Sequence, residues 1–290
     1  MNLFNLLWFI WKHPMNQNNK IGAVNRFIKW QLYNLLLHYP IVYPFTERAK
    51  LLIQKGMTGA TLNLYCGLDE YEDMGFLLHF LRDTDIFADV GANVGSYTML
   101  ASAHVRARSI CIEPVPYTYN ILKQNIALNH LEDRTVALNI GIGSASGKIK
   151  FTKSLGPMNH VAVATDMDTI DVPIDSLDNV LLNRTPCLIK IDVEGYEKEV
   201  INGAPKLLSN PVLKAIIIEC GHGDRYGFDD DLVLKKIEEY GFVRYRYDPK
   251  KRRLFEGERG ESNLLYFRDI DFVKERILTA DKVNINNTIL

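Results

Sequence analysis

The spacing of apolar residues divides the chain into two regions. Before residue 80, apolar positions follow a helical period, as between Phe27 and Tyr39, and prolines and glycines separate the helical segments. From Asp85 onward, short apolar runs alternate with amphipathic segments, which is the pattern of strand–helix–strand units around a parallel sheet. We therefore predict a helical extension or cap over 1–80 and a doubly wound, mostly parallel α/β domain over 81–290.

The predicted sheet has seven strands. They are expected at Ile86–Val90, Ser109–Ile112, Thr135–Ile140, Leu188–Val193, Ala215–Glu219, Phe242–Tyr247 and Leu264–Phe267. The helices fit Val94–Ala103, Tyr117–Leu128, Tyr196–Leu208 (interrupted near Pro205) and Asp229–Tyr240. A long insertion, residues 141–186, has β-like pieces at Lys148–Thr152 and His160–Ala164. It is expected to lie over the carboxyl ends of the strands, where open α/β sheets bind ligands.

Composition indicates a globular protein and excludes some partners. Hydrophobic residues make up 47% and charged residues 24% of the chain, which is ordinary for a folded domain. With 34 basic and 35 acidic residues, the chain has no net field that would draw it to nucleic acid. The four cysteines stand far apart without a CxxC pair, so we expect a cytoplasmic protein without structural zinc.

The first fifty residues are locally basic. They hold six basic residues and one acid, together with Trp8, Trp11 and Trp30. The opening apolar run lacks the flanks of a secretory signal and is too short to span a membrane. A basic amphipathic helix can lie in a membrane interface, so peripheral contact of residues 1–40 with the inner membrane face is one interpretation. A cap or dimer contact with buried tryptophans is the other, favoured because Pro14 ends the most apolar segment early.

The sequence DVGANVG connects the first strand to the next helix. Gly91 and Gly95 allow a sharp turn, and Asn93 tolerates unusual dihedral angles. Because Asn93 replaces the middle glycine of G-x-G-x-x-G, the diphosphate-binding fingerprint is absent. The Asp89 carboxylate at the strand end would repel a diphosphate and attract the ammonium group of a methionine moiety, whose carboxylate the amides of the next helix could receive. This pattern favours S-adenosylmethionine over NAD.

An acid follows the second strand. Glu113 stands in CIEP, close to the spacing of roughly 20 residues after the glycine loop at which an acid accepts the two ribose hydroxyls of a nucleotide. NAD and S-adenosylmethionine both present that ribose. Glu113 therefore indicates an adenosine ligand without choosing between the two.

Five stretches together resemble the FkbM-type methyltransferases. In order they are DIFADVGANVGSYTMLAS, IEPVPYTYNILKQNIALN, VPIDSLD, LIKIDVEGYEKEVINGA and IIIECG, and the resemblance runs from about Met57 to Phe267. It implies a Rossmann-like methyltransferase sheet. It also implies methyl transfer from S-adenosylmethionine, which leaves S-adenosylhomocysteine, usually onto an oxygen of a sugar or another hydroxylated natural product.

The resemblance also implies particular cofactor contacts. The methionine-side contacts are Asp89, Gly91, Ala92, Asn93, Gly95 and Ser96, the further contacts are Glu113, Pro114, Gly141 and Ile142, and Asp192 is expected beside the methyl group. After the third strand, where similar proteins often show an alanine and then an acid, this chain reads NIGIGS. The partner of the adenine amino group is therefore left open.

Acids and a histidine at the ends of two strands are the candidates for chemistry. Asp192 and Glu194 stand where the fourth strand ends, and Glu219 and His222 stand at the end of the fifth, so the four can converge on one pocket. An alcohol acceptor must lose its proton, which suits a histidine near neutral pH or a carboxylate whose pKa is raised by desolvation. We expect Glu219 and His222 to bind and deprotonate the acceptor, with Asp192 and Glu194 shaping the pocket.

Simpler roles compete with several of these assignments. Glu194 could be a first-turn acid that stabilises the following helix, His222 a solvated loop residue, and His160 a structural residue of the insertion. Tyr71 or Glu72 could approach the methionine end, although an exposed helix face is the plainer interpretation. The His and Asp residues lack diagnostic metal-ligand spacing, so no metal is expected.

Two other functions share parts of this pattern. A nicotinamide-dependent oxidoreductase has the same fold class but would need the missing middle glycine. A non-catalytic binding module in glycan assembly would keep the loop but need none of Asp192, Glu219 and His222. The acceptor and the oligomeric state cannot be read from the sequence.

Overall fold

The computed structural model describes residues 2–37, 39–258 and 263–290. The strands are β1 (Ile41–Pro44), β2 (Lys50–Ile53), β3 (Ile86–Val90), β4 (Arg108–Ile112), β5 (Thr135–Leu138), β6 (Gly141–Gly143), β7 (Gly147–Thr152), β8 (Thr169–Ser176), β9 (Leu188–Ile191), β10 (Ala215–Ile218), β11 (Val243–Asp248), β12 (Arg253–Glu256), β13 (Leu264–Phe267), β14 (Asn284–Ile285) and β15 (Thr288–Ile289). The helices are α1 (Leu3–Lys12), α2 (Lys20–Leu36), α3 (Thr58–Cys66), α4 (Tyr71–Phe80), α5 (Ser96–Met99), α6 (Pro116–Leu128), α7 (Leu177–Leu181), α8 (Glu197–Asn202), α9 (Pro205–Ser209), α10 (Asp230–Glu239) and α11 (Ile270–Thr279). A π-helical turn, Leu100–His104, continues α5.

The main sheet has the strand order β12-β11-β13-β10-β9-β3-β4-β5. Its centre, from β10 to β5, is parallel, and β13 lies antiparallel between β10 and β11. From β3 the chain adds strands first on one side and then, through β9, on the other. The carboxyl ends of β3 and β9 therefore form the switch point at which doubly wound sheets bind ligands. The predicted α/β class is confirmed.

Alternate residues of the central strands enter two different cores. Phe87 and Leu188 pack on one face of the sheet with α4, whereas Ala88 and Ile189 pack on the other face with α8 and α10. All four side chains are fully buried. Strands covered on both faces read as continuous apolar runs, which is why the sequence predicts them well.

Three strand predictions differ from the structure. The described residues contain an eighth strand of the main sheet, β12, which pairs with β11 and has only two apolar residues between Arg253 and Glu256. The expected β-like piece at His160–Ala164 reduces to one bridge between Val161 and Phe151. The insertion forms a three-stranded sheet with the order β6-β8-β7. Its central strand, β8, alternates isoleucine or valine with aspartate and was not predicted.

The first eighty residues hold the hairpin β1–β2 in addition to the predicted helices. Ile10, Phe27 and Leu51 from this region belong to the same core as Phe87. The division of the chain near residue 80 stays a prediction. Among the described residues, every helix falls short of the length and apolar content that crossing a membrane requires.

Candidate active site

The glycine loop lies where β3 meets β9. Gly91 has φ +79°, and a Cβ atom there would stand 1.7 Å from the carbonyl oxygen of Asp192. Only glycine permits this approach of the two strand ends. Asn93 has φ +50°, in the left-handed region that asparagine adopts more readily than most other residues. Asp89 is buried at the strand end, and the Thr98 hydroxyl donates to it at 2.6 Å.

Glu113 closes the loop from the neighbouring strand. Its two carboxylate oxygens accept hydrogen bonds from the backbone N–H groups of Asn93 at 3.0 Å and Val115 at 2.9 Å. Burial raises the pKa of Glu113 to about 7, although these two N–H groups act in the opposite direction. Each oxygen retains a lone pair, so Glu113 can still accept a ligand hydroxyl.

Two clefts open at the carboxyl ends of the strands and share Gly91, Asn93, Pro157, Asp192 and Glu194. The first, here called the apolar cleft, is lined by Ile112, Glu113, Pro114, Gly141, Ile142 and Phe151, among others. The second, here called the acidic cleft, is lined by Ala92 and Ser96 and by the ionisable side chains of Asp69, Glu70, Asp89, Lys190, Asp192, Glu194 and Glu219. Through Phe151 and Pro157, the insertion forms part of the walls.

Gly95 is the exception among the predicted cofactor contacts. It has φ +92°, and a Cβ atom there would lie 2.5 Å from the Leu122 side chain. In the described part of the chain it lines neither cleft. Its glycine character is explained by the close packing of the loop on α6.

Lys190 carries the positive charge of the acidic cleft. The side chain is 4% exposed, and its Nζ lies 2.6 Å from Oδ2 of Asp192 and 4.8 Å from the centre of the Tyr97 ring. Burial opposes the charge of Lys190, but the carboxylates of Asp192, Glu70 and Asp89 outweigh it and raise the pKa of the lysine. Lys190 was not among the predicted site residues, although a lysine within the apolar run LIKI is an informative signal.

Asp192 and Glu219 form an acid pair. Burial raises the pKa of Glu219 far above its usual range, and the adjacent Asp192 charge raises it further. Burial acts to raise the pKa of Asp192 too, but Lys190 and a hydrogen bond from Glu219 bring it below its usual value. Glu219 is therefore the protonated partner and donates to Asp192. A protonated carboxyl group donates a hydrogen bond rather than accepting a proton. The expectation that Glu219 acts as a base stays a prediction.

Glu194 and His222 approach the pair from two loops. Glu194 has φ +56° and lines both clefts, and burial, followed by the Asp192 charge, raises its pKa. Gly195, at φ +103°, lies where a Cβ atom would be 2.3 Å from the His222 carbonyl oxygen. The exposed His222 side chain interacts electrostatically with both Asp192 and Glu194. Asp192, Glu194 and Glu219 are thus brought together in the acidic cleft, whereas His222 lines neither cleft and is linked to them by charge alone.

A different acid holds this loop. Helix α8 begins at Glu197, so Glu194 is not in its first turn. Glu197 Oε1 accepts the N–H groups of Val193 at 3.1 Å and Gly195 at 3.2 Å. Burial raises the pKa of Glu197 to about 7.

Other candidates lie away from the clefts. The Glu72 carboxylate pairs with Arg246 at 3.1 Å, and the Tyr71 hydroxyl accepts the Lys250 N–H at 3.2 Å. Helix α4 is largely buried, so the expectation of an exposed helix face is also wrong. The preceding Asp69 and Glu70 line the acidic cleft instead. His160 is buried beside Asp166 at 3.2 Å, which fits its structural interpretation.

Asp192, Glu194 and Glu219 can each direct one oxygen to a common point. These oxygens lie within 4.8 Å of one another, which is compatible with a divalent cation. The Lys190 ammonium already neutralises Asp192, and Glu219 is protonated, so the group offers little free negative charge. The metal-free site expected from the sequence stays a prediction.

The sheet and the glycine loop at its switch point define a doubly wound α/β fold of the Rossmann-like class. The family model of the "Methyltransferase FkbM domain" matches residues 89–244, which is more than half of the chain. The chain therefore belongs to the FkbM methyltransferase family. It is a methyltransferase, and the oxidoreductase interpretation is set aside.

Two relatives are methyltransferases by name. The chain is 27% identical over 173 residues to the hexuronic acid methyltransferase AglP of Haloferax volcanii, covering 59% of this chain and 68% of that protein. It is 26% identical over 159 residues to the methyltransferase sdnD of Sordaria araneosa, covering 42% of this chain and 61% of that protein.

A solved structure with a similar fold is the precorrin-6y C5,15-methyltransferase of Geobacter metallireducens. It is 12% identical, with a TM-score of 0.41, over 69% of this chain and 88% of that one. Similarity at this level has no bearing on the substrate.

Proposed function

We propose that this methyltransferase transfers a methyl group from S-adenosylmethionine to a hydroxyl oxygen of a sugar or another hydroxylated natural product. The observation that carries the proposal is the acidic cleft beside Glu113. S-adenosylmethionine, when bound, supplies an electrophilic methyl group on a positively charged sulfur. Of the cleft's six carboxyl-bearing side chains, Glu219 is neutral and Asp192 is paired with Lys190. The other four suit such a cationic ligand and would repel the diphosphate of NAD.

The two clefts divide the proposed cofactor contacts by chemistry. Glu113 and Pro114 suit a ribose, and the apolar walls at Gly141, Ile142 and Phe151 suit a purine ring. The methionine-side contacts are proposed as Asp89, Gly91, Ala92, Asn93 and Ser96, and Asp192 stands where the two clefts meet. Glycine at position 91 keeps this junction open.

The chain's own residues position the acceptor and accept its proton. We assign proton acceptance to His222, with Glu194 beside it to stabilise the imidazolium that forms. Neutral Glu219 is a hydrogen-bond donor that orients Asp192. Correct alignment of donor and acceptor supplies much of the rate enhancement in a displacement of this kind.

The charge of the cleft also favours one kind of acceptor. An anionic acceptor would approach several carboxyl groups, whereas a neutral hydroxylated compound would not be repelled. The name of AglP, a hexuronic acid methyltransferase, supports a sugar acceptor but not a neutral one, because a hexuronic acid carries a carboxylate. We therefore expect a hydroxyl oxygen, rather than a carboxylate oxygen, to receive the methyl group.

A labelled-methyl transfer screen tests the proposal. The full chain is incubated with methyl-labelled S-adenosylmethionine and matched acceptors, such as a hexoside and the corresponding hexuronoside, and free sugars, sugar nucleotides and glycolipids extend the set. Label in an ether, located by mass analysis of the product, is the expected result. Fully O-methylated acceptors are the control. Cofactor binding without transfer to any hydroxylated acceptor would contradict the proposal and favour a non-catalytic module.

A further inference from the structure

Two amino-terminal helices expose an apolar surface to solvent. The exposed residues are Leu3, Phe4, Trp8 and Trp11 on α1, at 62%, 75%, 54% and 41%, and Ile21, Ile28, Leu32, Leu35 and Leu36 on α2, at 80%, 48%, 53%, 72% and 74%. We call these nine residues the amino-terminal apolar face. The expectation of a cap with buried tryptophans is therefore wrong for Trp8 and Trp11, while Trp30 is buried.

Helix α2 has two apolar stripes. Ala23, Phe27 and Trp30 pack into the core on one side, and the exposed stripe from Ile21 to Leu36 lies on the opposite side, as the helical period requires. The core is thus complete without the exposed stripe. A concentration of large apolar side chains on a surface marks an interaction site.

The charged residues of these two helices all have one sign. Residues 1–46 contain no Asp or Glu, and they contain Lys12, Lys20, Arg26 and Lys29. Lys12 Nζ lies 4.7 Å from the Trp8 ring, and Lys20 Nζ lies 5.2 Å from the Trp11 ring. Arg26 instead points into the protein, where it donates to the Tyr65 carbonyl at 2.6 Å. Three lysines therefore accompany the exposed apolar residues.

We propose that the amino-terminal apolar face binds the surface of an anionic phospholipid membrane, with α1 and α2 lying in the interface. Tryptophan at the level of the headgroups and lysine reaching toward phosphate are the side chains that such an interface favours. A symmetric pair of chains joined through this face would instead bring like-charged lysines together. The length of each helix suits lying in the interface rather than crossing it.

Vesicle sedimentation with the full chain tests this proposal. We expect binding to phosphatidylcholine vesicles that contain phosphatidylglycerol, weak binding to pure phosphatidylcholine, and a loss of binding at high salt. The double variant Leu32→Gln/Leu36→Gln should bind about tenfold less tightly. Lys12→Gln/Lys29→Gln should reduce binding about fivefold or more. These side chains are exposed, so thermal unfolding should match the unmodified protein.

The matched control removes two leucines from other exposed surfaces. Leu232 on α10 and Leu278 on α11 are 56% and 64% exposed, and Leu232→Gln/Leu278→Gln should keep full vesicle binding. Absence of binding to anionic vesicles, or equal losses in both leucine pairs, would overturn the proposal. A second result would also overturn it: sedimentation velocity shows a dimer, Leu32→Gln/Leu36→Gln converts that dimer to a monomer, and the unmodified protein binds no vesicles.

Discussion

The ammonium of Lys190, in β9, lies 2.6 Å from a carboxylate oxygen of Asp192, which follows it by two residues. This pair sets the charges of the cleft around it. Because Asp192 stays ionised beside the lysine, the proton of the neighbouring acid pair resides on Glu219. A buried cation in the sheet thereby determines which carboxyl group at the site is neutral.

Removing this cation should destabilise the fold. Lys190→Met leaves Asp192, which is 27% exposed, without its buried partner, and we expect a loss of up to about 3–5 kcal/mol in the free energy of unfolding. Lys214→Met is the matched control, since Lys214 pairs at 2.5 Å with Asp269, which is 47% exposed, and it should cost less than about 1 kcal/mol. Urea denaturation measures both. Equal and small losses of unfolding free energy in the two variants would show that the Lys190–Asp192 pair stabilises the fold no more than an exposed pair does.

The proton acceptor can be separated from the acid that orients the pair. His222→Ala should lower kcat by about 100-fold or more and leave the dissociation constant of the cofactor unchanged. Glu219→Gln should stay within about tenfold of the unmodified enzyme, because a neutral amide can donate to Asp192 as the protonated carboxyl does, whereas Glu219→Ala should lose more. Steady-state kinetics with an acceptor from the screen gives the comparison. Full turnover by His222→Ala would refute the assignment of the base.

Glu197 should make stability depend on pH. Its pKa is about 7 in the folded protein and near 4.5 in the unfolded chain. Between these values the unfolded chain releases the proton more readily, so stability falls as pH rises from about 4.5 through 7. The glutamine of Glu197→Gln does not titrate, so this variant should lack the fall in unfolding free energy that Glu197 causes. That fall is about 3 kcal/mol at most.

Unfolding free energies at pH 5 and pH 8 test the effect. Glu239→Gln, on the exposed side of α10, is the control and should follow the unmodified protein across this range. If the unfolding free energies of Glu197→Gln and of the unmodified protein change equally with pH, the Glu197 carboxyl group is not the source of the pH dependence.

Chelation should leave turnover unchanged. Of the three carboxyl groups that face one another, Asp192 is paired with Lys190 and Glu219 is protonated, which leaves Glu194 as the remaining candidate ligand. Activity is measured after dialysis against EDTA and after addition of Mg²⁺ or Mn²⁺. A loss on dialysis that the cation restores would place a metal among these carboxylates.

The central sheet could be predicted from the sequence because its strands are short apolar runs between turn residues. Ile86–Val90 and Leu264–Phe267 have the predicted bounds. The ends of β3, β4, β9 and β10 bring Asp89, Glu113, Asp192 and Glu219 together, since strand ends of a parallel sheet meet at one edge. Residue order along the chain was therefore sufficient to find the neighbourhood of the site.

The protonation states and the amino-terminal surface could not be predicted. Glu219 is neutral because it is buried and lies close to the Asp192 charge, and neither its burial nor this proximity can be derived from the sequence. Phe27 and Ile28 are adjacent apolar residues of α2, yet one is buried and the other is 48% exposed. A helix with two apolar stripes has the same periodicity whichever stripe faces the core.

Calorimetric titration of the full chain with S-adenosylhomocysteine and with NAD tests the central claim, that the paired clefts receive a cationic adenosine cofactor or its demethylated product. We expect saturable binding of S-adenosylhomocysteine, weakened by about tenfold or more in Glu113→Ala through loss of the ribose contact, and no binding of NAD. Tight binding of NAD with no uptake of S-adenosylhomocysteine or S-adenosylmethionine would contradict the account.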